Sequence, residues 1–124
     1  LSRIALAIQV VTSEVGHVPT LVFDEVDAGI GGKVAVTVGR LLQSLGTRRQ
    51  VLCVTHLPQV ASCADAHYRV SKAGDGERAT SAVVELDRAG RQEEIARMLG
   101  GAEVTARTRA NAREFLEQNR RRTA

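Results

Sequence analysis

Two carboxylates and one histidine stand at the ends of two short apolar segments. Asp24 and Glu25 follow the run Thr20–Phe23, and His56 follows the run Gln50–Thr55. One carboxylate of such a pair can hold Mg²⁺, directly or through water, while the next orients and deprotonates an attacking water. A histidine nearby could contact the terminal phosphate of a nucleotide. These residue types therefore suit nucleotide hydrolysis.

Glycines follow the carboxylates closely. Gly29, Gly31 and Gly32 leave the backbone exposed in a loop that leads into a predicted helix. Backbone N–H groups at the start of a helix suit an anion or the backbone of a partner. The glycines thus extend the candidate site beyond the two carboxylates.

The two apolar runs predict parallel strands covered by helices on each side, because both faces of each run are apolar. Between them, Lys33–Leu45 has the spacing of an amphipathic helix, which completes a strand–helix–strand unit. In open sheets of this kind, ligands bind outside the carboxyl ends of the strands. The carboxylates and the histidine occupy that position on two strands, so we expect them at one edge of the sheet.

The rest of the chain predicts further helices and one hairpin around a Gly-Asp-Gly turn. These elements are a buried helix at 1–15, a short helix at 57–64, hairpin arms at 67–72 and 80–87, and helices at 91–99 and 105–120. The class is α/β, with a parallel core and an antiparallel edge. Leu1 already lies inside the apolar pattern of the first helix, which predicts that the protein starts upstream.

The composition is that of a globular protein, with 44% apolar and 25% charged residues, and it argues against wholesale disorder. No apolar run reaches the roughly 18 residues that cross a bilayer, so we expect no membrane partner. The two cysteines, Cys53 and Cys63, are too few for a disulfide scaffold, and their spacing matches no common metal site.

Arginine dominates the basic residues: 15 of the 17 are Arg, against 14 acids. Four of them (Arg113, Arg120, Arg121 and Arg122) lie in the last dozen residues, which is compatible with phosphate binding or with a solvated helix end. Arg91 has the pattern of an ordinary charged first turn. The near absence of aromatic residues argues against a base-stacking surface.

Three segments together carry a family resemblance: TLVFDEVDAGIGGKVA, QVLCVTHLPQVASCAD and EEIARMLGG. They resemble the carboxy-terminal part of the RecN family of bacterial DNA repair proteins, SMC-like members of the ABC-type ATPases. The opening LSRIALAIQ is similar to the helix that follows the family's signature sequence. The similarity fades only in the arginine-rich end. It implies that residues 1–124 are the carboxy-terminal lobe of an ABC-type P-loop ATPase head, with a β-hairpin edge and carboxy-terminal helices.

The resemblance implies catalytic roles for three residues. Asp24 would be the Walker B aspartate that supports Mg²⁺, through a water ligand or directly. Glu25 would be the catalytic base that polarises the hydrolytic water. His56 would be the switch histidine that senses the γ-phosphate of ATP.

The resemblance also implies an interface loop. Val26–Gly31 would cross between two ATP-engaged heads, with Asp27, Gly29 and Gly31 near the nucleotide. SMC proteins generally end this loop with an aspartate, where this sequence has Gly31. RecN-like chains carry glycines there, so the departure favours RecN over other SMC relatives.

The phosphate cradle is missing from this sequence, because no Gly-x-x-x-x-Gly-Lys-Ser/Thr segment occurs in it. The resemblance therefore implies that ATP and Mg²⁺ are used only together with the amino-terminal half of the head and a second head in a homodimer. We expect this chain alone to be inactive. The family role would be recombinational repair of double-strand breaks, in which head engagement is coupled to DNA holding at the cytoplasmic nucleoid.

Two alternatives stay open. One is a non-catalytic module that dimerises or binds DNA through its arginine-rich end. The other is the head fragment of a different SMC or ABC ATPase.

Overall fold

The computed structural model describes residues 19–24, 29–101 and 103–121, so the helix predicted at 1–15 lies outside the described residues. A strand–helix–strand unit, a short helix, a hairpin and two helices follow one another along these ranges, and the predicted α/β class is confirmed. The elements are β1 (Thr20–Asp24), α1 (Gly32–Leu45), β2 (Gln50–Val54), α2 (Pro58–Ala61), β3 (Tyr68–Ala73), β4 (Thr80–Glu85), α3 (Arg88–Gly100) and α4 (Ala106–Asn119).

The two strands of the β1–α1–β2 unit pair in parallel, as predicted. Their register runs from Thr20 opposite Gln50 to Asp24 opposite Val54 without a slip. Because parallel strands in register end together, Asp24 and Val54 lie at the same edge of the sheet.

Helix α1 covers one face of this strand pair. Its buried Ala35, Val38 and Leu42 pack with Phe23 and Val51 of the strands. The opposite face carries apolar side chains that are between 49% and 67% exposed: Val22, Leu52 and Val54. Within the described ranges the strands are therefore covered on one side, where the apolar runs predicted cover on both.

The hairpin β3–β4 forms a sheet of its own and makes no ladder with β1 or β2 in the described part of the chain. All residues of both strands are exposed. Its turn depends on Gly74, which has φ +104°, and a Cβ built there would lie 2.6 Å from the carbonyl oxygen of Arg78. The predicted antiparallel unit thus exists as a separate ribbon.

Helices α3 and α4 pack against each other around a second core. The side chain of Asp87 accepts a hydrogen bond from the N–H of Gly90 at 2.7 Å, which begins α3 three residues earlier than the predicted Arg91. Thr105 and Thr108 form a reciprocal cap at the start of α4. Ile95, Ala96 and Ala112 are fully buried between the helices.

The short helix α2 joins the two cores. Val60 belongs to the cluster formed with α1, and its neighbour Ala61 belongs to the cluster formed with α3 and α4. Gly39 of α1 allows the close approach, because a Cβ there would lie 2.8 Å from Sγ of Cys63 and 3.0 Å from the carbonyl oxygen of Gln59. The position of α2 therefore depends on both halves of the described structure.

An ion pair ties the carboxy-terminal end of the chain to the turn after α2. The Arg121 guanidinium donates to both carboxylate oxygens of Asp65, at 2.9 and 2.8 Å, and to the carbonyl oxygen of Gln43 at 2.7 Å. The hydrogen bonds from Arg121 lower the pKa of Asp65 below its ordinary value. Arg121 thus has a structural partner, although the sequence placed it in a solvated or nucleic-acid-binding end.

We expect the Ile95→Ala variant to lose about 3 kcal/mol of unfolding free energy, because the truncation leaves a cavity in the second core. Val83 is 66% exposed in the hairpin, so Val83→Ala is the control and should change the unfolding free energy by less than about 0.5 kcal/mol. Urea unfolding of the protein measures both values. Equal losses in the two variants would contradict this description of the core.

We expect Asp65→Asn to make the protein less sensitive to acid. The folded-state pKa of Asp65 is lowered, so the ion pair stabilises the fold above the unfolded pKa of about 3.9, and this contribution disappears as pH falls through the folded value. Both partners are partly exposed, so the loss at pH 7 should be about 0.5 kcal/mol. Urea unfolding at pH 7, 5 and 3 measures it, with the exposed Asp75→Asn as control. An unchanged pH dependence in Asp65→Asn would show that the pair contributes nothing.

Candidate functional site

Asp24 and His56 lie at the same edge of the parallel strand pair. Asp24 is the last residue of β1 and pairs in register with Val54 of β2. His56 lies in a bend two residues after Val54. Asp24 and His56 are both exposed. The register of the strands therefore places a carboxylate and an imidazole at one solvent-accessible end of the sheet.

Glu25 and Asp27 belong to the segment 25–28, which lies outside the described residues. Glu25 directly follows the exposed end of β1 in the chain. The roles predicted for both residues stay predictions.

The glycine loop re-enters the described structure at Gly29 and begins α1. Gly29 and Gly32 have φ values of +73° and +56°, a region that side chains other than glycine rarely adopt. Gly31 is the extended N-cap residue and provides no side-chain cap. A Cβ at any of these three positions would meet no atom of the described residues within 4 Å. Gly29 and Gly32 are therefore explained by backbone conformation, and close packing against the described residues requires glycine at none of the three positions.

The loop that carries His56 is short and internally hydrogen-bonded. The Thr55 hydroxyl oxygen accepts a hydrogen bond from the N–H of Leu57 at 3.0 Å, and Pro58 then starts α2. Only three residues separate the end of β2 from α2. His56 is thus held between a paired strand and a buried helix.

Arg91 of α3 clamps the turn that follows α2. Its guanidinium donates to the carbonyl oxygens of Ala61 at 3.1 Å and Ser62 at 3.4 Å, and also to that of Ala64. These carbonyl groups lie at the end of α2 and in the turn just beyond it, where a helix supplies few donors of its own; that of Ala61 also accepts from the N–H of Ala64 at 3.2 Å. The sequence predicted an ordinary charged first turn at Arg91, and this prediction is wrong, because the helix folds that side chain against α2.

Two amides complete this turn. The Gln43 amide in α1 donates to the carbonyl oxygens of Cys63 at 2.8 Å and Asn119 at 2.7 Å. The Asn119 amide in α4 donates to the hydroxyl of Ser62 at 2.9 Å, and both of these residues are buried. We call Gln43, Arg91, Asn119 and Arg121 the polar clamp. Through it, three helices and the end of the chain hold the segment 61–65.

Burial dominates the electrostatics of this region. It lowers the pKa of the Arg91 guanidinium and of the His67 imidazole, and it raises the pKa of the Cys63 thiol. Each shift favours the uncharged form, as expected for groups removed from water. These groups surround the far end of α2, whereas Asp24 and His56 lie at the exposed end of the strands.

Sequence reasoning missed the polar clamp, although two of its members carry a signal. Asn119 lies seven residues after Ala112, and Arg91 lies four residues before Ile95, so each occupies a position on the apolar face of its helix. A polar residue at such a position needs a buried partner. The identity of that partner could not be read from the sequence, because it lies 27 or more residues away.

Asp24 could supply an oxygen ligand to a nucleotide-bound Mg²⁺. No group of three or more His, Cys, Asp or Glu side chains that could hold a metal ion occurs among the described residues. Mg²⁺ prefers oxygen ligands and commonly binds one or two carboxylates together with phosphates and water. A single exposed carboxylate at the strand end fits that pattern. As for membranes, none of the helices in the described ranges has the length and apolar character needed to span one.

Comparison with curated proteins gives consistent matches, although no family model matches the chain. The chain is 52% identical over 118 residues to DNA repair protein RecN of Xylella fastidiosa, covering 95% of this chain. It is 49% identical to DNA repair protein RecN of Vibrio cholerae over 116 residues, and 49% identical to that of Streptomyces coelicolor over 120 residues. The matches cover 94% and 97% of the chain, respectively. The chain spans about a fifth (21%) of the length of each of these relatives.

A solved structure described by the words "Structural biochemistry of ATP-driven dimerization and DNA stimulated activation of SMC ATPases" has a similar fold. Its TM-score is 0.62 at 20% identity, and the match covers 80% of this chain and 59% of that chain. The fold is accordingly that of an SMC ATPase head. The sequence matches, at 49% to 52% identity, show that the chain belongs to the RecN family and corresponds to the carboxy-terminal part of its members.

Proposed function

We propose that this chain is the carboxy-terminal lobe of an ATP-hydrolysing head in a DNA repair protein. The observation that carries the proposal is the in-register pairing of β1 and β2, which brings Asp24 and His56 to one exposed edge. The relatives are named as DNA repair proteins, and the similar fold is that of SMC ATPases. ATP hydrolysis is the chemistry that suits both the edge and these similarities.

Asp24 is the residue proposed to support Mg²⁺. Its carboxylate is exposed at the strand end, where it can bind the ion directly or through a water ligand. Bound with ATP, Mg²⁺ neutralises part of the charge on the phosphates. The phosphate cradle itself comes from the amino-terminal half of the head, since this sequence has no P-loop.

Glu25 and His56 are proposed to act on the reacting groups. Glu25 orients the attacking water and accepts its proton. The imidazole of His56 donates a hydrogen bond to the γ-phosphate. Positioning and electrostatics, rather than covalent chemistry, then carry the rate.

The loop 26–31 is proposed to lie at the interface with a second head, with Asp27, Gly29 and Gly31 near the nucleotide. Gly29 and Gly31 support this proposal, because neither has a side chain and no atom of the described residues lies within 4 Å of a Cβ built there, so a partner backbone can approach them. In this arrangement the second head supplies its signature motif to the same nucleotide. ATP closes the two heads, hydrolysis releases them, and this cycle is coupled to DNA holding at the nucleoid.

We expect ATP turnover only when this chain is combined with the amino-terminal half of the head. The measurement is steady-state ATPase activity of each half alone and of the mixture. Glu25→Gln should lower kcat of the mixture at least about 100-fold, because it removes the base. The matched control is Glu77→Gln, in the exposed hairpin turn, which should leave kcat unchanged.

Two results would contradict this proposal. The catalytic assignment fails if a folded, ATP-binding mixture shows no turnover. The requirement for the amino-terminal half fails if this chain alone hydrolyses ATP and Glu25→Gln abolishes that activity.

A further inference from the structure

His56 is anchored from both sides along the chain. On one side, β2 is fixed by its ladder with β1, which ends at Val54. On the other side, α2 begins two residues after His56. The hydrogen bond from the N–H of Leu57 to the Thr55 hydroxyl shortens the loop between these anchors. Because this connection is short, a displacement of α2 should also displace His56.

Helix α2 cannot hold this position by itself. It has four residues, so it forms too few internal hydrogen bonds to be stable in isolation. Its apolar contacts are divided, with Val60 packed on the α1 side and Ala61 on the α3–α4 side. The orientation of α2 thus depends on what fastens its carboxy-terminal end.

Arg91 is the side chain that fastens that end from α3. One of its terminal nitrogens donates to the carbonyl oxygens of Ala61, Ser62 and Ala64. Its Nε is buried and has no hydrogen-bond partner among the described residues. Burying a cation with an unpartnered N–H lowers the free energy of unfolding. The hydrogen bonds from Arg91 nevertheless fix the geometry of the turn.

We propose that Arg91 is a positioning residue for His56: it locks the turn after α2, and α2 in turn places the imidazole at the nucleotide edge. This inference rests on the proposed function. It also makes the α3–α4 helix pair the element through which movements elsewhere in the head reach His56.

The test is a double-mutant cycle in the full-length protein that contains this chain, with kcat and KM for ATP as readouts. Arg91→Gln should lower kcat about tenfold while KM for ATP stays within about twofold, because a misplaced group loses transition-state contacts. Arg91→Lys, which keeps the charge but not the planar fork, should recover part of kcat. In a His56→Ala background, Arg91→Gln should lower kcat by less than about twofold.

The matched control is Arg109→Gln. Arg109 also lies in the α3–α4 pair and donates to both carboxylate oxygens of Glu93 at 3.0 Å, but this pair is exposed and does not contact α2. Arg109→Gln should leave kcat within about twofold of wild type. The inference is overturned if Arg91→Gln behaves like Arg109→Gln, or if it costs the same factor with and without His56.

Two further variants keep the outcomes separable. If Arg91→Gln does not fold, Asn119→Ala replaces it in the cycle, since it removes only the hydrogen bonds of one amide at the same turn. A kcat loss that occurs only with His56 present supports the inference, and any other result overturns it. Glu25→Gln reports on the proposed function independently: full activity in that variant contradicts the catalytic assignment, whatever Arg91→Gln does.

Discussion

The packing of the described structure depends on the hydrogen bonds that hold one turn, residues 61–65, in place. Residues 61–65 lie between two hydrophobic cores, and neither core alone encloses them. Backbone carbonyl groups at the end of a short helix must find partners or lose stability. The polar clamp supplies these partners from α1, α3, α4 and the end of the chain. Without it, the contacts described between the β1–α1–β2 unit and the α3–α4 pair would be reduced to Val60, Ala61, a few apolar neighbours and the hydrogen bond from Arg40 to the carbonyl oxygen of Gln118.

The same constraint changes the interpretation of the arginine content. Arg91 and Arg121 donate to the turn, Arg109 pairs with Glu93, and Arg40 donates to the side chain of Asn119 at 3.3 Å. An excess of arginine in a DNA repair family invites the conclusion that the basic side chains bind phosphate. Here several of them are committed to holding helices together, so net charge alone does not locate a DNA-binding surface.

The candidate site obeys a simpler rule. Parallel strands in register end at one edge, and the polar residues that follow them in the chain meet there. Asp24 and His56 are brought together by this rule although they are 32 positions apart. Gly29 and Gly32, which follow, have positive φ values that residues with a side chain rarely adopt.

The strands, helix α1 and the position of the candidate site could be predicted from the sequence, because they depend on the spacing and type of residues that are close together in the chain. The apolar runs indicated the strands, the spacing of Val34, Val38 and Leu41 indicated α1, and the strand ends indicated where Asp24 and His56 lie. The start of α3 was misplaced because the Asp87 cap decides it, and a cap depends on one side chain rather than on a period.

The tertiary structure alone decided the roles of Arg91, Asn119 and Arg121. Each donates to groups that are distant in the sequence, so no local pattern names the acceptor. It also decided that the hairpin stands apart from the parallel strands, because strand propensity predicts a strand without choosing its neighbour. The sequence by itself determined the family, the strand–helix–strand unit and the residue types at its edge. Long-range packing determined how that edge is held in place.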